Sequence, residues 1–201
     1  MRKLSLSDEE KNELQRTIKQ FKRRKTKEEK FYDLCFCLLA PQTTFKSNRA
    51  TIFDLIALDF YHREISRKKL YKVLRRTRFF RVKTGYLLGL KKVFPEIVEE
   101  LKRKKSAEAK REYLASNIKG MGLKAASHFL RNLGEEDLAV IDTHVMKFLG
   151  ADHSQAKTKR EYCEIEKEFR KVAKANRMTP AVLDAYIWKT YSGTPWSDFD
   201  R

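Results

Sequence analysis

The 201-residue sequence holds only three cysteines, Cys35, Cys37 and Cys163. An odd count without C-x-x-C or mixed Cys/His spacing argues against a disulfide framework and against a zinc or cluster site. Cys35 and Cys37 sit in an apolar run and read as core residues. The four histidines, His62, His128, His144 and His153, form no H-E-x-x-H or related pattern, so no metal centre is expected. No apolar run approaches the roughly 18 residues that a membrane-spanning helix needs, and no signal peptide is visible. A cytoplasmic, membrane-free location is the expectation. Strand-like alternation is scarce, and there is no internal repeat and no low-complexity linker.

Acidic side chains are also in deficit. Asp and Glu number 27 against 45 Lys and Arg, a formal net charge of +18. A folded chain with that excess attracts polyanions, nucleic acid before acidic membrane. The hydrophobic share of 41% is enough for a real core. The length suits one domain, 1–201, or two small lobes sharing a cleft.

What is present reads as helix almost throughout. Ser7-x-x-Glu10, Thr26-x-x-Glu29 and Thr158-x-x-Glu161 are capping boxes, each followed by apolar residues at helical spacing. The helix opened by Thr26 runs through Phe31, Leu34, Cys35, Leu38 and Leu39 and stops at Pro41. The polar turn from Ala40 to Thr44 then emerges from the core. A third helix is expected over about Ser47 to Leu58. Ser66 caps a helix with a basic outer face. Arg78-Phe79-Phe80-Arg81-Val82-Lys83 interleaves rings with cations, a mixture suited to DNA, since rings stack on bases and cations meet phosphates. One of the two phenylalanines is expected to be core. A helix is expected from Val82 to Val93, and a separate one from Pro95 to Lys105. Thr179-Pro180 starts the last helix, through Trp188.

The segment that carries chemistry is Ile118 to Asp142. A helix from Ser106 leads into Gly120-Met121-Gly122, and a second helix follows and ends at Gly134, so the motif spans about 106–134. Glycines let a backbone approach a ligand closely. A helix start offers free N–H groups and a positive dipole end, so the hairpin suits a phosphate. Lys124 stands in the first turn beyond it. An apolar run, Leu138 to Ile141, delivers Asp142. A neutral primary amine can attack the anomeric carbon of a nucleoside, displace the base and form an imine that permits β-elimination. Partial burial, neighbouring cations and the positive helix end can each favour the neutral amine. A fixed carboxylate stabilises the positive charge that grows on the sugar. Each residue has a plainer reading, Lys124 as a phosphate contact and Asp142 as a helix cap.

This helix–hairpin–helix with its Lys and Asp resembles the signature of the endonuclease III superfamily of DNA glycosylases. GMGLKAASHFLRN is most similar to the type 2 8-oxoguanine DNA glycosylase/AP lyases, found mainly in archaea. LLAPQTTFKSNRAT, RFFRVKTGYLL and VLDAYIW extend the resemblance over most of the chain. It implies an all-α fold of two helical lobes, with a damaged base flipped from double-stranded DNA into a cleft between them. It implies Lys124 as the Schiff-base nucleophile and Asp142 as the catalytic aspartate. Backbone amides of Gly120, Met121 and Gly122 would hold a DNA phosphate, with a monovalent cation possible at the hairpin carbonyls. His144 matches a phosphate-contacting position. Gln42 and Phe80 match positions that fill the gap left by the flipped base or wedge the opposite strand, and Arg81 adds a cation beside them. Trp188 and Trp196 are the aromatic candidates for the base pocket. A monomer in the cytoplasm of an archaeon or other prokaryote, at its nucleoid, is the corresponding expectation.

Three departures from the pattern are visible. Cluster-bearing relatives carry several cysteines near the C-terminus, whereas this chain has only Cys163 there, so no iron–sulfur cluster is expected. The sequence continues past Trp188 through Trp196 to Asp200-Arg201, where type 2 enzymes usually end in a lysine. Asp142 is followed by Thr143-His144 rather than Arg. The expected activity is removal of 8-oxoguanine followed by strand cleavage. The competing readings are another oxidised base, such as a pyrimidine, and a non-catalytic DNA-binding module.

Overall fold

The computed structural model describes residues 4–152 and 158–192. Ten helices account for the regular structure of the described residues, and no strand occurs among them. They are α1 (Asp8–Phe21), α2 (Lys27–Leu39), α3 (Phe45–Ala57), α4 (Arg67–Leu74), α5 (Phe80–Arg103), α6 (Ala107–Asn117), α7 (Leu123–Asn132), α8 (Thr143–Leu149), α9 (Lys159–Ala175) and α10 (Pro180–Ser192). All three capping boxes form as the sequence indicates, at Ser7, Thr26 and Thr158. No helix among the described residues is long and apolar enough to cross a membrane.

The chain divides into two compact units, one made of residues 25–129 and the other of residues 1–24 and 130–201. The division falls inside α7.

The first unit is built on α2. Its Phe31, Leu34 and Cys35 are fully buried, and the surroundings push the Cys35 thiol well up by desolvation. Phe31 meets Tyr32, Phe60, Tyr61 and Phe94 with ring centroids 5.1–5.7 Å apart. The edge-on and tilted geometries are those that ring quadrupoles favour. The Tyr32 hydroxyl donates to Leu55 O at 3.4 Å and accepts from Tyr61 N–H at 3.2 Å, which fixes the loop after α3. Burial of that hydroxyl raises its pKa.

Along α5 the sequence-based division at Pro95 is wrong. One helix runs from Phe80 to Arg103 with Pro95 inside it. Proline removes one backbone donor, at a cost of about 3 kcal/mol. The apolar stripe Leu87, Leu90, Phe94, Ile97 and Val98 nevertheless runs unbroken across the position and stays buried. Its burial outweighs the lost bond, at roughly 1.5–3 kcal/mol for each large side chain.

In the second unit α10 packs on α1, α8 and α9. Arg131, 7% exposed, pairs with Asp184 of α10, 2% exposed, and its guanidinium lies over the Phe21 ring at 5.0 Å. A buried pair of this kind satisfies both charges, and removing one partner strands the other. Gly134 ends α7 with φ +92, and a Cβ there would stand 3.3 Å from Lys22 Cα. Left-handed backbone and a close neighbour both select glycine at that position.

Candidate active site

The hairpin of residues 118–123 is made by two local bonds and one steric constraint. Met121 N–H donates to Ile118 O at 3.0 Å, which closes the turn, and Ala126 N–H donates to Gly122 O at 3.0 Å, which opens α7. The Met121 side chain is 4% exposed and anchors the turn in the core, and its N–H is spent on Ile118 O, so Met121 does not offer the phosphate-binding amide expected from the sequence; the N–H groups of Gly120 and Gly122 have no partner among the described residues. Gly120 has φ +88, and a Cβ there would lie 2.4 Å from the Tyr86 ring. Gly122 is different. Its φ is unremarkable, and a Cβ there would meet nothing within 4 Å. The fold requires the first glycine and leaves the second open to whatever approaches from outside.

The N–H groups of Leu123, Lys124 and Ala125 cannot bond within α7, and no partner meets them among the described residues. They point with the positive end of the helix dipole, an arrangement suited to an anion. Ser127 and Arg111, both buried, tie α7 to α6 through a 3.4 Å bond from the guanidinium to Ser127 Oγ. His128 meets the Phe36 ring edge-on at 5.9 Å and tethers α7 to α2. The helix that carries Lys124 is therefore fixed on two sides within its unit.

Lys124 itself is exposed and has no hydrogen-bond or ion-pair partner among the described residues. Burial gives this amine no help, because Lys124 lies on the face of α7 opposite Ala126, Phe129 and Leu130, which take the core positions. An unpaired amine on a rigid helix start is free to meet a sugar.

Asp142 belongs to the other unit. Its Oδ1 accepts from His144 N–H at 2.8 Å and Val145 N–H at 2.9 Å, so the carboxylate caps α8. Oδ2 has no partner among the described residues. The cap and the chemical role proposed from sequence are thus compatible, one oxygen for each.

The run before Asp142 has no regular structure, yet Leu138 to Ile141 are buried. Its backbone groups need partners from elsewhere. Tyr162 and Glu166, one turn apart on α9, supply them. The Tyr162 hydroxyl donates to Ala139 O at 2.8 Å and accepts from Ile141 N–H at 3.3 Å, and Glu166 Oε1 accepts from Ala139 N–H at 3.0 Å. Helical spacing after the Thr158 capping box gives no hint of either role; it shows only a carboxylate, Glu166, in line with Tyr162 and Phe169 on a buried face.

The remaining site residues fall as follows. Gln42, Phe80 and Arg81 share the unit of the hairpin; His144 and Trp188 share that of Asp142. Trp196 lies outside the described residues. Gln42 is exposed with φ 53, a left-handed conformation uncommon for a side-chain-bearing residue. His144 and Trp188 are half-buried. Phe80 is half-buried with its edge on Tyr71 at 5.7 Å. Its neighbour Phe79 is the exposed ring, 53% accessible, with φ 59, and Arg78 lies over it at 4.9 Å. Of the two phenylalanines, Phe80 is the packed one. Arg81 is exposed and lies over the Phe80 ring at 5.7 Å.

Lys83 was grouped in the sequence with the surface cations. It is 4% exposed, and its Nζ donates to Leu39 O and Pro41 O at 2.7 Å and to Thr43 Oγ1 at 2.8 Å. Desolvation pulls its pKa down from 10.5 to about 8. The spacing gave the clue, since 83, 87, 90 and 94 form one helical stripe. Elsewhere Glu28, Asp59 and His62 bring ligand atoms within 4.8 Å of one another, a grouping no sequence pattern marks, and His62 Nδ1 meets Asp59 at 2.6 Å.

One unit thus offers an amine beside free helix-start amides, and the other a half-free carboxylate held by a buried strap. Comparison with known proteins agrees in kind. Residues 13–178 match the family model described as 8-oxoguanine DNA glycosylase. A protein of Thermoplasma volcanium named 8-oxoguanine DNA glycosylase/AP lyase is 34% identical, covering 85% of this chain and 84% of its own. One of the same name from Methanocaldococcus jannaschii is 33% identical, covering 93% of each. The crystal structure of the M. jannaschii glycosylase/lyase with a 15mer DNA containing 8-oxoguanine superposes with TM-score 0.81 at 30% identity, covering 92% of this chain and 91% of that one. The 8-oxoguanine DNA glycosylase of Thermotoga maritima gives 0.79 at 30%, covering 93% and 92%.

Proposed function

We propose, for a chain that belongs to the 8-oxoguanine DNA glycosylase family, that it removes 8-oxoguanine from double-stranded DNA and then cuts the strand, with Lys124 as nucleophile of both steps. The observation that carries this reading is the exposed, unpartnered amine of Lys124 in the first turn of a helix whose starting amides are open to an anion.

The reaction divides among named groups. Amides at the start of α7 hold a backbone phosphate and so set the position of the neighbouring sugar. The neutral Lys124 amine gives its electron pair to C1′, and the bond from C1′ to the base nitrogen breaks. The base leaves with that bond's electrons and takes up a proton. Positive charge on the sugar is met by Asp142 through Oδ2. The attached nitrogen gives up one proton, the bond from C1′ to O4′ breaks as O4′ takes a proton up, and the opened sugar is left as a protonated imine. Removal of a proton from C2′ then expels the 3′ phosphate, and water releases Lys124 from the product.

Gln42 and the Phe79–Phe80 pair face the distorted duplex in this reading. Phe79, exposed and held in a left-handed conformation, suits a wedge better than Phe80. His144 and Arg81 are proposed as phosphate contacts, and Trp188 as the aromatic wall of the base pocket. The enzyme acts as a monomer on DNA in the cytoplasm.

Borohydride reduction on a duplex carrying 8-oxoguanine tests the mechanism. A covalent protein–DNA adduct is expected with the parent and none with Lys124→Gln. An adduct of equal yield from Lys124→Gln refutes the assignment. A panel of lesion duplexes, including oxidised pyrimidines, tests the substrate, and salt-sensitive binding without base release from any of them refutes the enzyme reading.

A further inference from the structure

A buried ammonium without an anion is an expensive way to fill space, and an apolar chain of the same length would do so at lower cost. Lys83 is such a group, at 4% exposure. Its three donors meet three acceptors, Leu39 O, Pro41 O and Thr43 Oγ1. Leu39 is the last residue of α2, so the first bond satisfies a helix-end carbonyl. The other two fall on either side of Gln42. That residue is exposed and left-handed, with φ 53, between two neighbours held by one ammonium. Thr43 N–H donates to Ala40 O at 3.1 Å, and Thr44 caps α3, so the turn is fixed at both ends as well.

We infer that Lys83 is a positioning residue for DNA contact by Gln42: it holds the Pro41–Thr43 turn in the single strained conformation that presents the Gln42 amide outward. The inference rests on the reading of Gln42 as a strand contact made above. Lys83 never touches DNA in this role. A Gln side chain offers both a donor and an acceptor, and can replace the hydrogen bonds of a displaced base only if its backbone is already set.

Single-turnover kinetics on an 8-oxoguanine duplex separates the half-saturating enzyme concentration from the maximal rate. Lys83→Met keeps the buried chain and removes the donors. It should raise half-saturation about tenfold and leave the maximal rate within about twofold, while Lys83→Arg recovers most of the loss. Gln42→Ala should show a similar rise, and Gln42→Ala with Lys83→Met should be no weaker than Gln42→Ala alone, within about twofold. An unaffected Gln42→Ala sinks the strand-contact reading, and this inference with it. A weakened Gln42→Ala beside a silent or fully additive Lys83→Met sinks the inference alone. Should Lys83→Met not fold, Thr43→Val removes one acceptor at constant shape. The expected rise is then about threefold, vanishing in the Gln42→Ala background, and a rise that persists there overturns the inference.

Discussion

The same substitution two residues apart should have opposite consequences in the hairpin. Alanine at Gly120 must adopt φ +88 and place its Cβ 2.4 Å from the Tyr86 ring. The left-handed backbone and the overpacking together cost about 2–5 kcal/mol. For a chain of this size that lowers Tm by roughly 5–15 °C. Alanine at Gly122 meets nothing within 4 Å and needs no unusual φ. Its cost to stability should stay within about 1 kcal/mol, the usual difference between glycine and alanine at a helix start. The methyl would, however, occupy the approach to the free amides of α7. Affinity for lesion duplex should fall about tenfold or more. Calorimetry gives the first quantity and fluorescence anisotropy with labelled duplex the second. Tyr86→Ala in the Gly120→Ala background separates the two costs: the clash disappears and about 1–2 kcal/mol of backbone strain remains. A Gly120→Ala protein as stable as the parent refutes the steric reasoning. A Gly122→Ala protein that binds duplex normally refutes the hairpin as a close phosphate seat.

Asp142→Asn keeps an oxygen acceptor for the α8 amides, so unfolding by urea should change by less than about 1 kcal/mol while base release slows about 10²–10³-fold. Tyr162→Phe leaves Ala139 O and Ile141 N–H without partners in a buried run; a loss of about 2–4 kcal/mol in the same assay is expected. A pH series tests Lys83. Between about 8, its folded value, and 10.5, the unfolded chain keeps a proton that the folded chain has released. Raising the pH across that window therefore favours the folded state. The stability difference between parent and Lys83→Met should move toward the parent from pH 8 to 10.5 and stay level below pH 7.

How much of this was legible beforehand depended on whether a residue's role is local. The capping boxes at Ser7, Thr26 and Thr158 are written within four residues, and each forms. The hairpin has the same property, since glycines, helix start and amine lie within five positions. Pro95 misled because proline is a local breaker, whereas the stripe from Leu87 to Val98 that carries the helix across it is a tertiary fact. Lys83 was misread for the complementary reason. Its charge and basic neighbours suggested surface, but its phase on α5 puts it under the turn after α2, and only the fold brings Leu39, Pro41 and Thr43 to it. Tyr162 and Glu166 act on a strap more than twenty residues upstream, a pairing no spacing rule contains.

The two oxygens of Asp142 have a consequence for how such a chain can change over generations. One anchors α8 through the amides of His144 and Val145, and an amide side chain would anchor it equally well. The other is engaged by nothing in the described protein. On the proposed mechanism, folding and chemistry then draw on different atoms of a single residue, and a one-base codon change from Asp to Asn separates them. The product would be a folded protein that finds damage and stays on it. If Oδ2 carries the proposed role, the distance between a repair enzyme and a damage-marking protein on this scaffold is one atom, and a sequence bearing asparagine here should be tested for lesion retention before it is dismissed as inactive.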